Sequence, residues 1–123
     1  DERSMSEVLE VDQIQKVLRS FAAERDWEQF HNPKNLAMAL AGEAGELLAE
    51  FQWLSPEQSA SPTDEQLNRI NEEIADVMIY TLRLADKLDI DLSKAIKDKI
   101  SKNSIKYPKE LSKGRADKST SFS

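Results

Sequence analysis

Leu36-Ala37-Met38-Ala39-Leu40-Ala41-Gly42-Glu43-Ala44-Gly45-Glu46-Leu47-Leu48-Ala49-Glu50-Phe51 is the stretch that decides the fold class. Leu36, Leu40, Ala44, Leu47, Leu48 and Phe51 recur at three- and four-residue steps, which lays one apolar stripe along a helix over roughly residues 34–53. Strand-type alternation is absent along the chain, and Gly and Pro number only 3 and 4. The chain therefore reads as all-α.

Working outward, Ile14, Val17, Leu18, Phe21 and Ala22 mark a preceding helix over roughly 10–26. It is joined to the central one by Trp27-Glu28-Gln29-Phe30-His31-Asn32-Pro33, where Asn32 can cap the next helix and Pro33 can take its first position. Residues 54–63, with Pro56, Pro62 and several serines, read as the main flexible loop. A Thr63-to-Gln66 capping signal then opens the longest helix, roughly 64–88, whose core side carries Leu67, Ile70, Ile74, Val77, Met78, Thr81, Leu82 and Ala85. A fourth helix, roughly 92–106, turns Leu92, Ala95, Ile96 and Ile100 inward and stops before Pro108. The expected organisation is a 1–9 extension, a 10–108 helical domain and a loose 109–123 tail rich in Ser, Lys and Gly.

Composition narrows the function. The 23 acidic side chains outnumber the 17 basic ones, a formal net charge of −6, which opposes general attraction to DNA, RNA or anionic membrane. A polyanionic ligand would need local help, such as a metal ion. No run approaches the ~20 apolar residues of a membrane span, and Asp1-Glu2-Arg3-Ser4-Met5 lacks the apolar stretch of a signal peptide. The expectation is a soluble, cytoplasmic protein with neither nucleic-acid polymer nor membrane as partner. Without cysteine there is no thiolate metal site and no thiol nucleophile.

The acidic residues are patterned. At about 100° per residue, Glu43, Glu46 and Glu50 fall within about 60° of one another, beside the arc of Leu40 and Leu47. Glu73, Asp76 and Tyr80 cluster in the same way, flanking Ile70, Ile74 and Val77. If these two helices pack antiparallel, as a roughly ten-residue connection allows, the acidic edges face each other. Carboxylates so crowded repel or take up protons unless a hard cation neutralises them, and oxygen-only ligation suits Mg²⁺ or Mn²⁺ rather than Zn²⁺. A lone E-x-x-E is ordinarily a solvated helix face. Here a second acidic pair follows 30 residues after the first, and Gly42 and Gly45 interrupt the helix at about 1 kcal/mol each. They read as packing or access positions.

Glu43-x-x-Glu46 followed by Glu73-x-x-Asp76 resembles the E-x-x-E…E-x-x-D signature of the MazG-like all-α nucleoside triphosphate pyrophosphohydrolases. Phe21-Ala22-Ala23-Glu24-Arg25-Asp26-Trp27-Glu28-Gln29-Phe30-His31, Phe51-Gln52-Trp53 and Ile79-Tyr80 resemble its dCTP pyrophosphatase branch, over roughly residues 12–108. The resemblance implies a four-helix unit in an oligomeric bundle, a homodimer or homotetramer, that hydrolyses a deoxynucleoside triphosphate to the monophosphate and pyrophosphate with Mg²⁺. It also implies that Glu43, Glu46, Glu73 and Asp76 hold the metal and that Trp27, His31, Trp53 and Tyr80 surround the nucleotide. Lys99, Asn103 and Lys106 match the phosphate- and sugar-facing stretch. Leu18 departs from that branch, standing where the protein it resembles carries a histidine near the base.

Considered without the family, a single histidine is ordinarily a surface or capping residue, and large aromatics ordinarily fill cores or interfaces. Trp53, on the angular side of Glu46, and Tyr80, one turn beyond Asp76, can nevertheless border the acidic cluster, where their rings can sandwich a base. Lys99, Asn103 and Lys106 share one stripe by i, i+4, i+7 spacing, usually a solvated pattern, but able to attract triphosphate oxygens if it reaches the carboxylates. The expected chemistry is attack of a metal-activated water on the triphosphate, with Glu46 favoured as the base and more than one cation plausible. Two readings compete: the same chemistry on dUTP or on modified deoxynucleotides, and a non-catalytic metal-binding helical assembly protein.

Overall fold

The computed structural model describes residues 10–114. Among them, helices α1 (Val11–Glu24), α2 (Pro33–Phe51), α3 (Pro56–Ala60), α4 (Asp64–Lys87), α5 (Leu92–Lys106) and α6 (Lys109–Ser112) follow in order, with one 3₁₀ turn at Glu28–Phe30. No strand occurs among the described residues.

The caps explain where the helices begin. Asn32 accepts the amide of Asn35 at 2.9 Å and Pro33 follows it at the first helical position, where its missing N–H is no loss. Thr63 and Gln66 form a reciprocal capping box, with Oγ1 accepting the Gln66 amide at 3.1 Å and the Gln66 side chain accepting the Thr63 amide at 2.8 Å. α4 is the longest described helix, at 24 residues. Asp91 caps α5 by accepting the Lys94 amide at 3.0 Å.

One expectation needs correction. The segment expected as an open loop contains α3, because Ser55 and Gln58 build a second capping box (2.9 and 3.1 Å) and Pro56 sits at its first position. Proline breaks a helix only from inside; at the first turn it starts one. The helix ends also fall earlier than the apolar periodicity implies. α1 closes at Glu24, before Asp26 turns the chain at φ 57°, and α2 closes at Phe51, which puts Trp53 on the following turn. The expected 1–9 extension lies outside the described residues, as does the expected tail beyond Gly114; Lys109–Ser112 within that tail is a helical turn.

The described chain forms two compact units, one through Asp89 and one from Ile90. In the first, α4 packs most extensively on α2 and along a shorter stretch on α1. Direction follows from the pairings. Glu50 of α2 meets Arg69 of α4, whereas Glu43 meets Glu73 and Asp76, so α2 and α4 run antiparallel. Gln15 and Arg19 of α1 meet Leu82 and Asp86 in rising order, so α1 and α4 run parallel. Ala22, Leu36, Ile70, Leu82 and Ala85 form the fully buried core. Buried Gln15 satisfies its amide by donating to the Leu82 carbonyl at 3.1 Å.

Several positions expected in the core lie open instead: Leu48 is 60% exposed, Met78 48% and Ile74 47% in the first unit, and Ile96 and Ile100 are also exposed in the second. Three helices cover too little of one another's apolar arcs to bury every residue on them. No helix among the described residues is long and apolar enough to cross a membrane.

Candidate metal centre

Antiparallel packing brings the two acidic edges together. Glu43 from α2 and Glu73 and Asp76 from α4 each offer one carboxylate oxygen, and these three oxygens lie within 4.8 Å of one another. All three residues are half-buried. One oxygen of Glu43 and one of Glu73, Oε2 in each case, is buried and accepts no hydrogen bond. Buried carboxylate oxygens without donors are destabilising unless a cation or proton meets them.

The electrostatics agree. Burial pushes the Glu73 carboxyl up to about 7, and the charges of Glu46, Glu43 and Asp76 push the same way. Burial also raises Glu43, assisted by Glu46 and Asp76. Three converging carboxylates, all oxygen donors, with two orphaned oxygens among them, fit a hard divalent cation.

Glu46 occupies a different place. It is exposed and outside the three-oxygen group, yet near enough for its charge to act on both Glu43 and Glu73. Glu50, on the same stripe, is drawn off by Arg69, whose Nε donates to both carboxylate oxygens at 3.0 Å. A Cβ added at Gly42 or Gly45 would meet nothing within 4 Å, so no described part of this chain packs on them.

The aromatic residues are placed unevenly. Trp27 meets Phe21 edge-on at 5.7 Å and lies 6.2 Å from the His31 ring, making one small cluster in which Trp27 is 42% exposed. Tyr80 is half-buried one turn beyond Asp76. Trp53 is 86% exposed and joins no other ring among the described residues. Lys99, Asn103 and Lys106 are exposed on α5, in the second unit.

A polar network missed at the sequence level surrounds His31. Arg83, with its side chain only 3% exposed, places one terminal nitrogen 2.7 Å from Glu28 Oε1 and 3.3 Å from His31 Nδ1. Lys87 pairs with the other Glu28 oxygen. Asp86 stands 3.5 Å from Arg83 and 3.4 Å from Arg19. The signal in the sequence was an arginine between Leu82 and Leu84, inside an apolar arc where a charge needs a partner.

The family model of the MazG-like family matches residues 38–122, a span holding both acidic pairs. The chain belongs to the MazG-like family. Among curated relatives, this MazG-like chain is 45% identical over 113 residues to dCTP pyrophosphatase 1 of Mus musculus and 40% identical over 114 residues to that of Homo sapiens. Each alignment covers 89% of this chain and 66% of the relative, so the chain spans just under two thirds of their length. It also resembles the crystal structure of a pyrophosphatase from Archaeoglobus fulgidus, with a TM-score of 0.76, 38% identity, and coverage of 83% of this chain and 95% of that one.

Proposed function

We propose that this MazG-like chain is a Mg²⁺-dependent nucleoside triphosphate pyrophosphohydrolase that converts a deoxynucleoside triphosphate, dCTP first among candidates, and water to the monophosphate and pyrophosphate. One observation carries the reading: three carboxylate oxygens converge within 4.8 Å while Oε2 of Glu43 and of Glu73 stays buried without a donor. The names of the mammalian relatives, dCTP pyrophosphatase 1, supply the substrate class.

Glu43, Glu73 and Asp76 hold the cation, with Glu46 completing the set from the exposed edge. Bound there, Mg²⁺, or Mn²⁺ in its stead, neutralises triphosphate oxygens and makes water more acidic. Glu46, outside the three-oxygen group, keeps a carboxylate free to take the proton of the attacking water. The bond between the α- and β-phosphates breaks, and pyrophosphate leaves.

Trp27, Trp53 and Tyr80 hold the base by stacking, and His31 reads its edge. Lys99, Asn103 and Lys106 serve the phosphates and sugar. A homodimer or homotetramer covers the exposed apolar positions of α2 and α4 and supplies further walls for the nucleotide pocket. The absence of a long apolar helix among the described residues accords with a cytoplasmic place.

The test is a panel of deoxy- and ribonucleoside triphosphates, including dUTP and oxidised or methylated bases, assayed for pyrophosphate with and without Mg²⁺. Metal-dependent release from dCTP supports the reading. Preference for another base moves the substrate while keeping the chemistry. Absence of release from every triphosphate leaves a metal-binding assembly protein.

A further inference from the structure

Resting on the reading of His31 as the group that meets the base edge, we infer that Arg83 is a positioning residue that holds the His31 imidazole as its neutral Nε2–H tautomer, so that the ring offers the nucleotide a hydrogen-bond donor.

The argument begins with what each group can do. A guanidinium has only donors and stays charged in proteins. Its terminal nitrogen lies 3.3 Å from His31 Nδ1, so in this contact Nδ1 must present its lone pair. A neutral ring with that lone pair carries its proton on Nε2. An imidazolium would turn an N–H toward an N–H, one cation facing another. Burial lowers the His31 pKa, and the Arg83 and Lys87 charges lower it further against the opposing pull of Glu28.

The arginine is itself held in place. Its side chain is 3% exposed and is fixed by Glu28 at 2.7 Å and Asp86 at 3.5 Å, while Lys87 secures the second oxygen of Glu28. Arg19 steadies Asp86 from α1. The clamp therefore joins α1, α4 and the aromatic loop, and it fixes Nδ1 of the ring. Along α4, Glu73, Asp76, Tyr80, Arg83 and Lys87 recur at three- and four-residue steps, so one stripe carries metal ligands at one end and this clamp at the other. A base meeting Nε2–H must offer an acceptor. Ring N3 of cytosine is one, whereas N3–H of thymine or uracil is a donor.

His31 is the chain's sole histidine, so ¹⁵N-imidazole correlation spectra of the full-length protein near neutral pH report on this ring alone. The expected spectrum shows one Nε2–H tautomer, replaced by exchange between both tautomers in Arg83→Met and in Glu28→Gln. The second variant alters the more exposed end of the clamp and serves if the first does not fold. Detectable Nδ1–H tautomer in the unaltered protein overturns the inference. Kinetics provide an independent arm: Arg83→Met narrows the dCTP-over-dTTP ratio of kcat/KM by up to about tenfold, the scale of one hydrogen bond. It has no further effect on that ratio in a His31→Ala background. Equal effects in both backgrounds overturn positioning through His31. If no triphosphate is turned over, the pyrophosphohydrolase reading fails and the ring spectrum alone decides the tautomer.

Discussion

Arg69 Nε donates to both carboxylate oxygens of Glu50 at 3.0 Å, and this one pairing removes Glu50 from the acidic stripe it shares with Glu43 and Glu46. Glu50 is mostly covered and Arg69 about half exposed, so the pair is partly screened and contributes at most about 1 kcal/mol. Arg69→Ala is expected to lower stability by about that much in urea denaturation. A loss several times larger would show that Glu50 is a far more deeply buried charge than this geometry allows.

The proposed metal ligands give the sharpest prediction. Glu43→Gln, Glu46→Gln, Glu73→Gln and Asp76→Asn each preserve volume while removing charge, and each should lower Mg²⁺-dependent turnover at least about tenfold. Full activity in any two of them would sink the four-carboxylate assignment. Glu46→Gln, which removes both the base and one carboxylate of the set, should depress kcat and also weaken Mg²⁺ binding measured by titration.

The pH dependence of stability follows from Glu73. Its carboxyl is raised from an ordinary 4.5 to about 7, so the folded metal-free protein holds a proton there that the unfolded chain has lost. The stabilisation is complete below about 4.5 and is lost as pH rises through about 7. Glu28 is shifted down, chiefly by the Lys87 hydrogen bond, and its contribution is lost only in acid, outside that window. In the proposed reaction Mg²⁺ binds the ionised cluster. The melting temperature gained on adding Mg²⁺ should therefore be larger at pH 8 than at pH 5, and equal gains would count against the cluster as the binding site.

Assembly is readable by light scattering. Leu48, Ile74 and Met78 expose roughly half their surface or more in the single chain, and a second copy is the expected cover. The solution mass should be two or more times 14.0 kDa. A 14.0 kDa species at every concentration would refute it.

Base recognition separates two kinds of contact. Stacking is worth about 1–3 kcal/mol per base and is nearly blind to identity, so Trp53→Ala should raise KM about tenfold for every accepted triphosphate. His31→Ala should instead reorder dCTP, dUTP and dTTP, because a lost polar contact penalises only the base that used it. The reverse pattern in steady-state kinetics at saturating Mg²⁺ would show the pocket assigned wrongly.

Much of the fold was legible because helical signals are local. The caps at Asn32 and Thr63 announce themselves within four residues, and both form as their sequences imply. The Ser55-to-Gln58 box was equally local but was masked by Pro56, whose meaning depends on whether it lies inside a helix or at its first position. Exposure of Ile74 and Met78 was not legible, because periodicity shows that a face is apolar and not how much partner surface covers it.

By itself the sequence determined the all-α class and the angular positions of Glu43, Glu46, Glu50, Glu73 and Asp76 on their helices, since 100° per residue is a property of the backbone. That put Glu43 with Glu46, and Glu73 with Asp76, on edges flanking apolar arcs. Only the tertiary structure decided which of them meet. The axial offset and rotation of α2 against α4 bring Glu43, Glu73 and Asp76 within 4.8 Å, leave Glu46 at the rim and give Glu50 to Arg69. The same holds for Arg83 and His31, 52 residues apart in the chain. Nothing in a helical period records which distant side chain will be pressed against a buried charge; that depends on how the packed helices align, and packing is a property of the whole fold.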